Sequence, residues 1–120
     1  MPEGPEIKIM SDYINESTKN LSFIKIVKSN ESKVKTDLKK YPPTFKINSL
    51  SRGKEMLIDI GEKEKLSYTA GMSGSWKLVE GLDFPLHAHL IFISKNYEYS
   101  LCMIDVRRFA KWKWVNDWSI

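Results

Sequence analysis

A chain of 120 residues, 42% of them hydrophobic, suits one domain with a modest core. Its net charge of +4 allows a polyanionic partner but is too small to establish one. The single cysteine, Cys102, excludes a disulfide framework and a cysteine-based zinc cluster, and no apolar run is long enough for a membrane span. The acidic, proline-rich start is unlike a signal peptide, so we expect an intracellular, reducing setting.

One helix opens the predicted order of elements. Residues 5–18 repeat apolar side chains at helical spacing, from Ile7 to Ile14. The period then changes to two in residues 21–29, which predicts a strand rich in β-branched side chains. Residues 30–43 are polar and charged and end in a proline pair, which is typical of a solvated loop.

Short strand patterns follow at regular spacing through the rest of the chain. They cover residues 45–52, 54–61, 65–79 with a break at the glycines 71 and 74, 87–94, 97–105 and 110–115. No linker divides the chain into two parts, and no internal repeat is visible. Many short strands after one helix predict a mainly β fold with flanking helices (α+β), built as a sandwich or a barrel.

The opening residues, MPEGPEI, offer a covalent chemistry. If Met1 is removed, Pro2 carries a secondary α-amine, and terminal amines have a pKa of about 7.7–8.0. Attack of this amine on a sugar aldehyde carbon gives an iminium ion that favours elimination. Glu3 could protonate a ring oxygen or a leaving group, and Glu6, one turn further, could orient the amine. The alternative is an ordinary helix start with acids near the positive end of the dipole.

Three later stretches suit contact with a nucleic acid. Lys54 follows a glycine in SRGKEML, where an extended cation can reach a phosphate. Met72 lies on a glycine-flanked tip in AGMSGSW and could wedge into a base stack. In IDVRRFAKW, two guanidiniums and an aromatic ring could hold phosphate and fill a gap in a duplex: Arg107, Arg108 and Phe109. Taken singly, each stretch also fits an ordinary surface or core role.

These motifs occur in one order along the chain: MPEGPEI, RGKEML, GMSGSW, HAH and DVRRF. In this combination the whole chain resembles the N-terminal catalytic domain of the formamidopyrimidine-DNA glycosylase / endonuclease VIII family. The resemblance implies a two-layer β-sandwich of about eight strands with an N-terminal helix. It also implies a DNA repair enzyme that removes oxidised bases, with oxidised purines such as 8-oxoguanine favoured, and then cleaves the strand at the abasic sugar by β/δ-elimination.

The resemblance assigns the chemistry residue by residue. Pro2 is the nucleophile that forms a Schiff base with the sugar, and Glu3 is the acid that serves base release. Glu6 supports both of them. Lys54 contacts phosphate or the sugar region. The partner implied is damaged double-stranded DNA, with no membrane involved, so the chain is expected where DNA is, in the cytoplasm, nucleoid or nucleus.

A second group of residues is implied to bind DNA. Met72, Arg107 and Phe109 match the side chains that fill the void left by a flipped nucleotide, and Arg108 matches a backbone contact. His89 is a further predicted DNA contact. His87 and His89 could pair on a metal, but no third ligand is evident in the sequence, so we predict no metal.

The largest difference between this chain and the family concerns the parts that follow this domain in family members. Members follow this domain with a helix–two-turn–helix module and a zinc finger or its zincless substitute, and residues 1–120 contain neither. We therefore expect one catalytic domain without a cofactor of its own. Since each lost phosphate contact lowers affinity, we also expect weak binding and little or no activity on duplex DNA by this piece alone.

Two other functions compete with the enzyme. One is a non-catalytic DNA- or protein-binding remnant that keeps the sandwich; the short chain favours it, and the intact set of Pro2, Glu3, Glu6 and Lys54 opposes it. The other is a β-sandwich interaction module without any role in nucleic acid binding, which would make every motif a coincidence.

Overall fold

The computed structural model describes residues 4–29, 41–70, 74–106 and 110–116. Within them lie one helix, eight strands and one 3₁₀ turn: α1 Gly4–Thr18, β1 Phe23–Lys28, β2 Asn48–Arg52, β3 Glu55–Asp59, β4 Lys65–Thr69, β5 Ser75–Glu80, β6 Ala88–Ser94, the 3₁₀ turn Lys95–Tyr97, β7 Tyr99–Ile104 and β8 Lys111–Val115. The predicted mainly β architecture with an N-terminal helix is confirmed. The helix predicted at residues 5–18 differs from the observed one by a single residue.

Helix α1 buries one narrow stripe. Ile7, Ser11, Ile14 and Thr18 are at most 2% exposed, and their spacing of four, three and four residues keeps them on one face. The helix ends where the Thr18 hydroxyl donates to the Ile14 carbonyl at 2.7 Å. That stripe contains two small polar residues, so the helix meets its neighbour through hydrogen bonds as well as through apolar packing.

That neighbour is β2, an edge strand. The Asn15 side chain donates to the Ser49 carbonyl at 2.9 Å and accepts from the Ser49 N–H at 2.7 Å. Ser11 and Ser49 hydroxyls lie 2.8 Å apart. Because Asn15 satisfies both backbone groups of Ser49, it takes the place that a further strand would occupy and protects the sheet edge.

The strands form two antiparallel sheets of four. One has the order β1-β6-β7-β5 and the other β2-β3-β4-β8. Two separate sheets make the fold a sandwich and exclude the barrel alternative. The inner faces enclose the main core, which includes Leu90, Phe92 and Leu101 from the first sheet and Ile58 and Leu66 from the second. Alternation along each strand places these residues inward.

Strand β6 is buried along all seven residues, on both faces of its sheet. The outer face carries a second cluster with Ile91, Ile93 and Cys102. Residues 81–87 connect β5 to β6 and therefore cross β7, and the Ser100 hydroxyl donates to the Gly81 carbonyl at 2.6 Å. In this apolar setting burial raises the pKa of Cys102 to about 11, which is typical of an unreactive structural thiol.

The two ends of the sandwich differ in their connections. At one end the chain crosses between sheets through residues 70–74 and 105–110, beside the β2–β3 turn and the start of β6; we call this the loop end. At the other end short turns at residues 60–64 and 95–98 join neighbouring strands of one sheet; we call this the hairpin end. Thr69 pairs with Lys111, and Ser75 pairs with Ile104, so both crossings leave the same end.

A candidate nucleic-acid interface at the loop end

Lys54 stands at the tip of the β2–β3 turn. Gly53 before it has φ of +58°, a conformation that glycine adopts without strain and that makes the tight reversal possible. The Lys54 side chain is exposed. Glu6 is also exposed, in the first turn of α1. Both residues can therefore meet a solvent-borne ligand without first being uncovered.

Most of the predicted site residues lie outside the described residues: Pro2, Glu3, Met72, Arg107, Arg108 and Phe109. The chain neighbours of Met72 and of residues 107–109 are described, and these neighbours belong to the loop end. Ala70 and Gly74 flank the segment that contains Met72, and Val106 and Ala110 flank the one that contains the two arginines and the phenylalanine. Together with the Lys54 turn, these two segments make three separate stretches from the sequence analysis that start from one end of the sandwich.

The β7–β8 connection is closed at its base by a buried carboxylate. Asp105 is 1% exposed, and its Oδ2 accepts the Ala110 backbone N–H at 2.6 Å. The Asp105 N–H in turn donates to the His87 carbonyl at 3.0 Å. A charged acceptor makes the first of these hydrogen bonds strong. The two bonds fix both ends of the connection to the sandwich.

Gly74, at the end of the β4–β5 connection, lies against the buried side chain of Tyr68. The Tyr68 side chain is 0% exposed and meets Trp76 edge-on, with ring centroids 5.2 Å apart. A Cβ on residue 74 would lie 2.6 Å from the Tyr68 hydroxyl, so only Gly74 fits there without a shift. Burial raises the pKa of Tyr68 well above its usual value; the Trp76 indole opposes this rise and the negative charge of Asp105 adds to it.

His89 is held inside the sheet rather than at its surface. The residue is 3% exposed, and its Nδ1 lies 2.9 Å from the Ser29 hydroxyl. Nε2 is also buried. This burial does not favour the predicted direct contact with DNA, which stays a prediction. His87 is more exposed and has φ of 67°, an uncommon value for a residue with a side chain.

The histidine pair does not form part of a metal site in the part of the chain that the structure describes. The ring centroids of His87 and His89 are 6.4 Å apart. No group of three or more histidine, cysteine, aspartate or glutamate side chains is placed to hold a metal ion across the described residues. Cys102 is enclosed by apolar neighbours, so these side chains do not fit a zinc ion. Within the described residues, no helix is long and apolar enough to cross a membrane.

The chain is similar in structure and in sequence to known DNA glycosylases. Solved structures with a similar fold include DNA glycosylases bound to DNA. One is Lactococcus lactis formamidopyrimidine-DNA glycosylase with DNA that contains an abasic site (TM-score 0.81, 27% identity, 95% of this chain and 45% of that one). The family model for the formamidopyrimidine-DNA glycosylase N-terminal domain matches residues 1–112. The chain therefore belongs to this family, as the motifs predicted.

Relatives of two kinds are similar to the chain over nearly all of its length. Endonuclease 8-like 1 of Mus musculus is 32% identical over 130 residues, 99% of this chain and 33% of the relative. Formamidopyrimidine-DNA glycosylase of Lactococcus lactis is 28% identical over 120 residues, 97% of this chain and 44% of the relative. The chain thus spans between a third and a half of the length of these curated relatives.

Sequence reasoning missed the residues that support the loop end. In the sequence Asp105 is only an acid two positions before the arginines, and Tyr68 and Gly74 are only members of a strand and a break. A signal for Asp105 existed, since a short acceptor at the start of a tight connection commonly binds a nearby backbone N–H. No local pattern could have placed Tyr68 under Gly74, because that contact depends on the packing of the core.

Proposed function

We propose that this chain is the catalytic domain of a DNA glycosylase with abasic-site lyase activity, acting on oxidised bases in duplex DNA. The proposal rests on one observation: the Lys54 turn and both inter-sheet connections begin at the same end of the sandwich, the loop end. Family membership over residues 1–112 and the likeness to glycosylases solved with damaged DNA support it. The function places the chain inside the cell, with DNA.

The chemistry begins at the N-terminus. With Met1 removed, the secondary amine of Pro2 attacks C1′ of the damaged nucleotide, while Glu3 supplies the proton that lets the base leave. The bond from C1′ to the base breaks as the bond from C1′ to nitrogen forms. The nitrogen then loses its proton, the bond from C1′ to the ring oxygen breaks, and the ring oxygen takes up a proton, which leaves an open-chain iminium ion. The resulting iminium ion draws electrons from the neighbouring carbon, which loses a proton, and the 3′ phosphate leaves by β-elimination. A second elimination expels the 5′ phosphate, and hydrolysis of the iminium ion by water then releases the sugar remnant and restores the amine of Pro2.

The remaining residues hold the substrate. Lys54 binds a phosphate next to the lesion, and Glu6 orients the reacting groups from the first turn of α1. Met72, Arg107 and Phe109 enter the space that the flipped nucleotide leaves, and Arg108 binds the backbone. Oxidised purines are the preferred lesions. Tested alone, these 120 residues should bind duplex DNA weakly, because they span only 33–44% of the length of two curated relatives and each phosphate contact contributes to affinity through counterion release.

A substitution at Glu3 separates the two chemical steps. On a duplex with 8-oxoguanine, Glu3→Gln should reduce base release by about 10²–10⁴-fold, the usual contribution of a general acid. On a duplex that already contains an abasic site, strand cleavage should fall much less, since no base has to leave. The measurement is product formation on both duplexes at high protein concentration. Equal losses on both substrates would contradict the proposal.

A further inference from the structure

We infer that Asn15 is a positioning residue: its side chain holds helix α1 on strand β2 and thereby fixes the first turn of the helix relative to the Lys54 turn. The inference rests on the proposed function, because it needs these two parts of the chain to engage one substrate. Asn15 acts through the backbone of β2 and not on the DNA. The physical basis is the way in which α1 is bound to an edge strand of each sheet.

The first step is the contact between α1 and β2. The Asn15 amide donates to the Ser49 carbonyl at 2.9 Å and accepts the Ser49 N–H at 2.7 Å. The Ser49 hydroxyl also donates to the Ser11 carbonyl at 2.9 Å, and both serines are 2% exposed. Backbone groups of successive strand residues point to opposite sides, so a slip of one residue along β2 would break both bonds to Asn15. The contact therefore fixes the position of α1 along the strand.

The second step is the contact between α1 and the other sheet. The Tyr13 hydroxyl accepts the Leu78 N–H at 2.8 Å. Leu78 belongs to β5, which is the edge strand of one sheet, whereas Ser49 belongs to β2, the edge strand of the other. Tyr13 lies between Ser11 and Asn15 in sequence, so the helix meets both sheets at the same height. A helix placed in this way runs along the gap between the two edge strands.

The third step is the direction of the helix. Thr18 is the last residue of α1, and its carbonyl accepts the Leu21 N–H at 2.9 Å. The next residue, Ser22, accepts the N–H of Lys95 at 2.8 Å, and Lys95 begins the 3₁₀ turn of the hairpin end. The helix thus ends at the hairpin end, and its 15 residues are about 22 Å long. Its first turn therefore lies toward the loop end, where β2 leads into the Lys54 turn.

The fourth step is what this placement does for the reaction. Pro2, the proposed nucleophile, is two positions before Gly4, the first residue of α1, and two residues of chain reach at most about 7 Å. Lys54 follows Ser49 by five residues. A phosphate bound by Lys54 brings the neighbouring C1′ to the amine only while α1 keeps its place on β2. Reactions that need two groups at a matched distance lose rate when that distance varies.

The first measurement tests the placement without DNA. Spin labels are attached to the double variant Glu6→Cys and Lys54→Cys, at two exposed positions, while Cys102 is 0% exposed and stays unlabelled. The distribution of distances between the labels should be narrow in this chain. It should stay narrow when Tyr13→Phe is added, because the contact with β2 remains, and it should broaden when Asn15→Ala is added. An equal width in all three chains would overturn the inference.

The second measurement asks whether the placement matters for the reaction. It follows the rate of borohydride trapping on an abasic duplex, at protein concentrations below saturation. Lys54→Ala should slow trapping by about five-fold in the parent chain, the contribution of one phosphate contact at about 0.15 M salt. In an Asn15→Ala chain the same change should cost less than about two-fold, because α1 and the Lys54 turn are no longer held together. In a Tyr13→Phe chain, the matched control, it should again cost about five-fold.

A purely structural role of Asn15 gives a different result. General destabilisation makes the two losses independent, so an equal cost of Lys54→Ala in the parent chain and in Asn15→Ala would overturn the inference, however slow Asn15→Ala is by itself. Loss of the Lys54 effect in Tyr13→Phe as well would also overturn it, since any weakened contact of α1 would then suffice.

Two further arms keep the test decisive. If Asn15→Ala does not fold, Asn15→Asp replaces it in both measurements, because the carboxylate still accepts the Ser49 N–H but cannot donate to the Ser49 carbonyl. Trapping that persists unchanged in Pro2→Gly would contradict the proposed function. In that case the label distances alone decide whether Asn15 fixes the helix on β2.

Discussion

The loop end and the hairpin end of the sandwich differ in how the strands are connected and in which groups are buried. At the hairpin end, short turns join strands of one sheet, and the ion pair between Lys65 and Asp59, 3.4 Å apart, lies near the surface. At the loop end the chain crosses between sheets, and groups that normally seek water are buried, among them the Asp105 carboxylate and the His89 ring. Burial of such groups is costly without partners. The loop end is therefore the end at which we propose that DNA binds.

The largest expected effect is a loss of folding stability from a steric clash at the loop end. Gly74→Ala should lower the free energy of unfolding by about 1–3 kcal/mol, because the new Cβ overlaps the Tyr68 hydroxyl in a packed core. Tyr68→Phe removes that oxygen, so the double variant should recover most of the loss. Denaturant unfolding of the four proteins in this cycle measures the coupling.

Gly61→Ala at the hairpin end is the matched control. Gly61 has φ of +86°, and no heavy atom lies within 4 Å of the position that a Cβ would take there, so the cost of the substitution is conformational. We expect a loss of about 1–2 kcal/mol, the strain of a left-handed residue, and no recovery with Tyr68→Phe. Equal recovery at both glycines would remove the contrast between the ends.

A smaller effect concerns the dependence of stability on pH. Burial raises the pKa of Tyr68 in the folded chain, whereas an unfolded tyrosine ionises near pH 10, so above about pH 10 the unfolded state releases its proton first. The free energy of unfolding should then fall as pH rises, by up to about 1.4 kcal/mol per pH unit. Tyr68→Phe should reduce this slope. Tyr97→Phe, at a residue 52% exposed at the hairpin end, should leave it unchanged.

The smallest effect concerns DNA affinity. Lys54→Ala should reduce the slope of log affinity against log salt by about 0.9, the value for one phosphate contact, which amounts to about four-fold over a roughly four-fold salt range. Lys95→Ala, an exposed lysine of the hairpin end, should leave the slope unchanged. Fluorescence anisotropy with an abasic duplex measures both variants. An equal effect of the two lysines would mean that general charge, not the loop end, attracts DNA.

The elements could be predicted from the sequence because each one is a local pattern. The helix and the strands follow from the periodicity of apolar residues, and the resemblance supplied the two-layer arrangement. The support of the site could not be predicted in the same way. The contact of Tyr68 with Gly74 and the burial of His89 arise from the packing of two sheets, which no short stretch of sequence encodes.

The most direct test of the account is covalent capture at the N-terminus. Purified chain with Met1 removed is incubated with an abasic oligonucleotide and borohydride, digested, and the modified peptide is identified by mass spectrometry. We predict that the DNA adduct maps to the nitrogen of Pro2, and that the chain with Met1 retained gives no such adduct. An adduct on a lysine side chain, or equal capture with Met1 in place, would contradict the central claim.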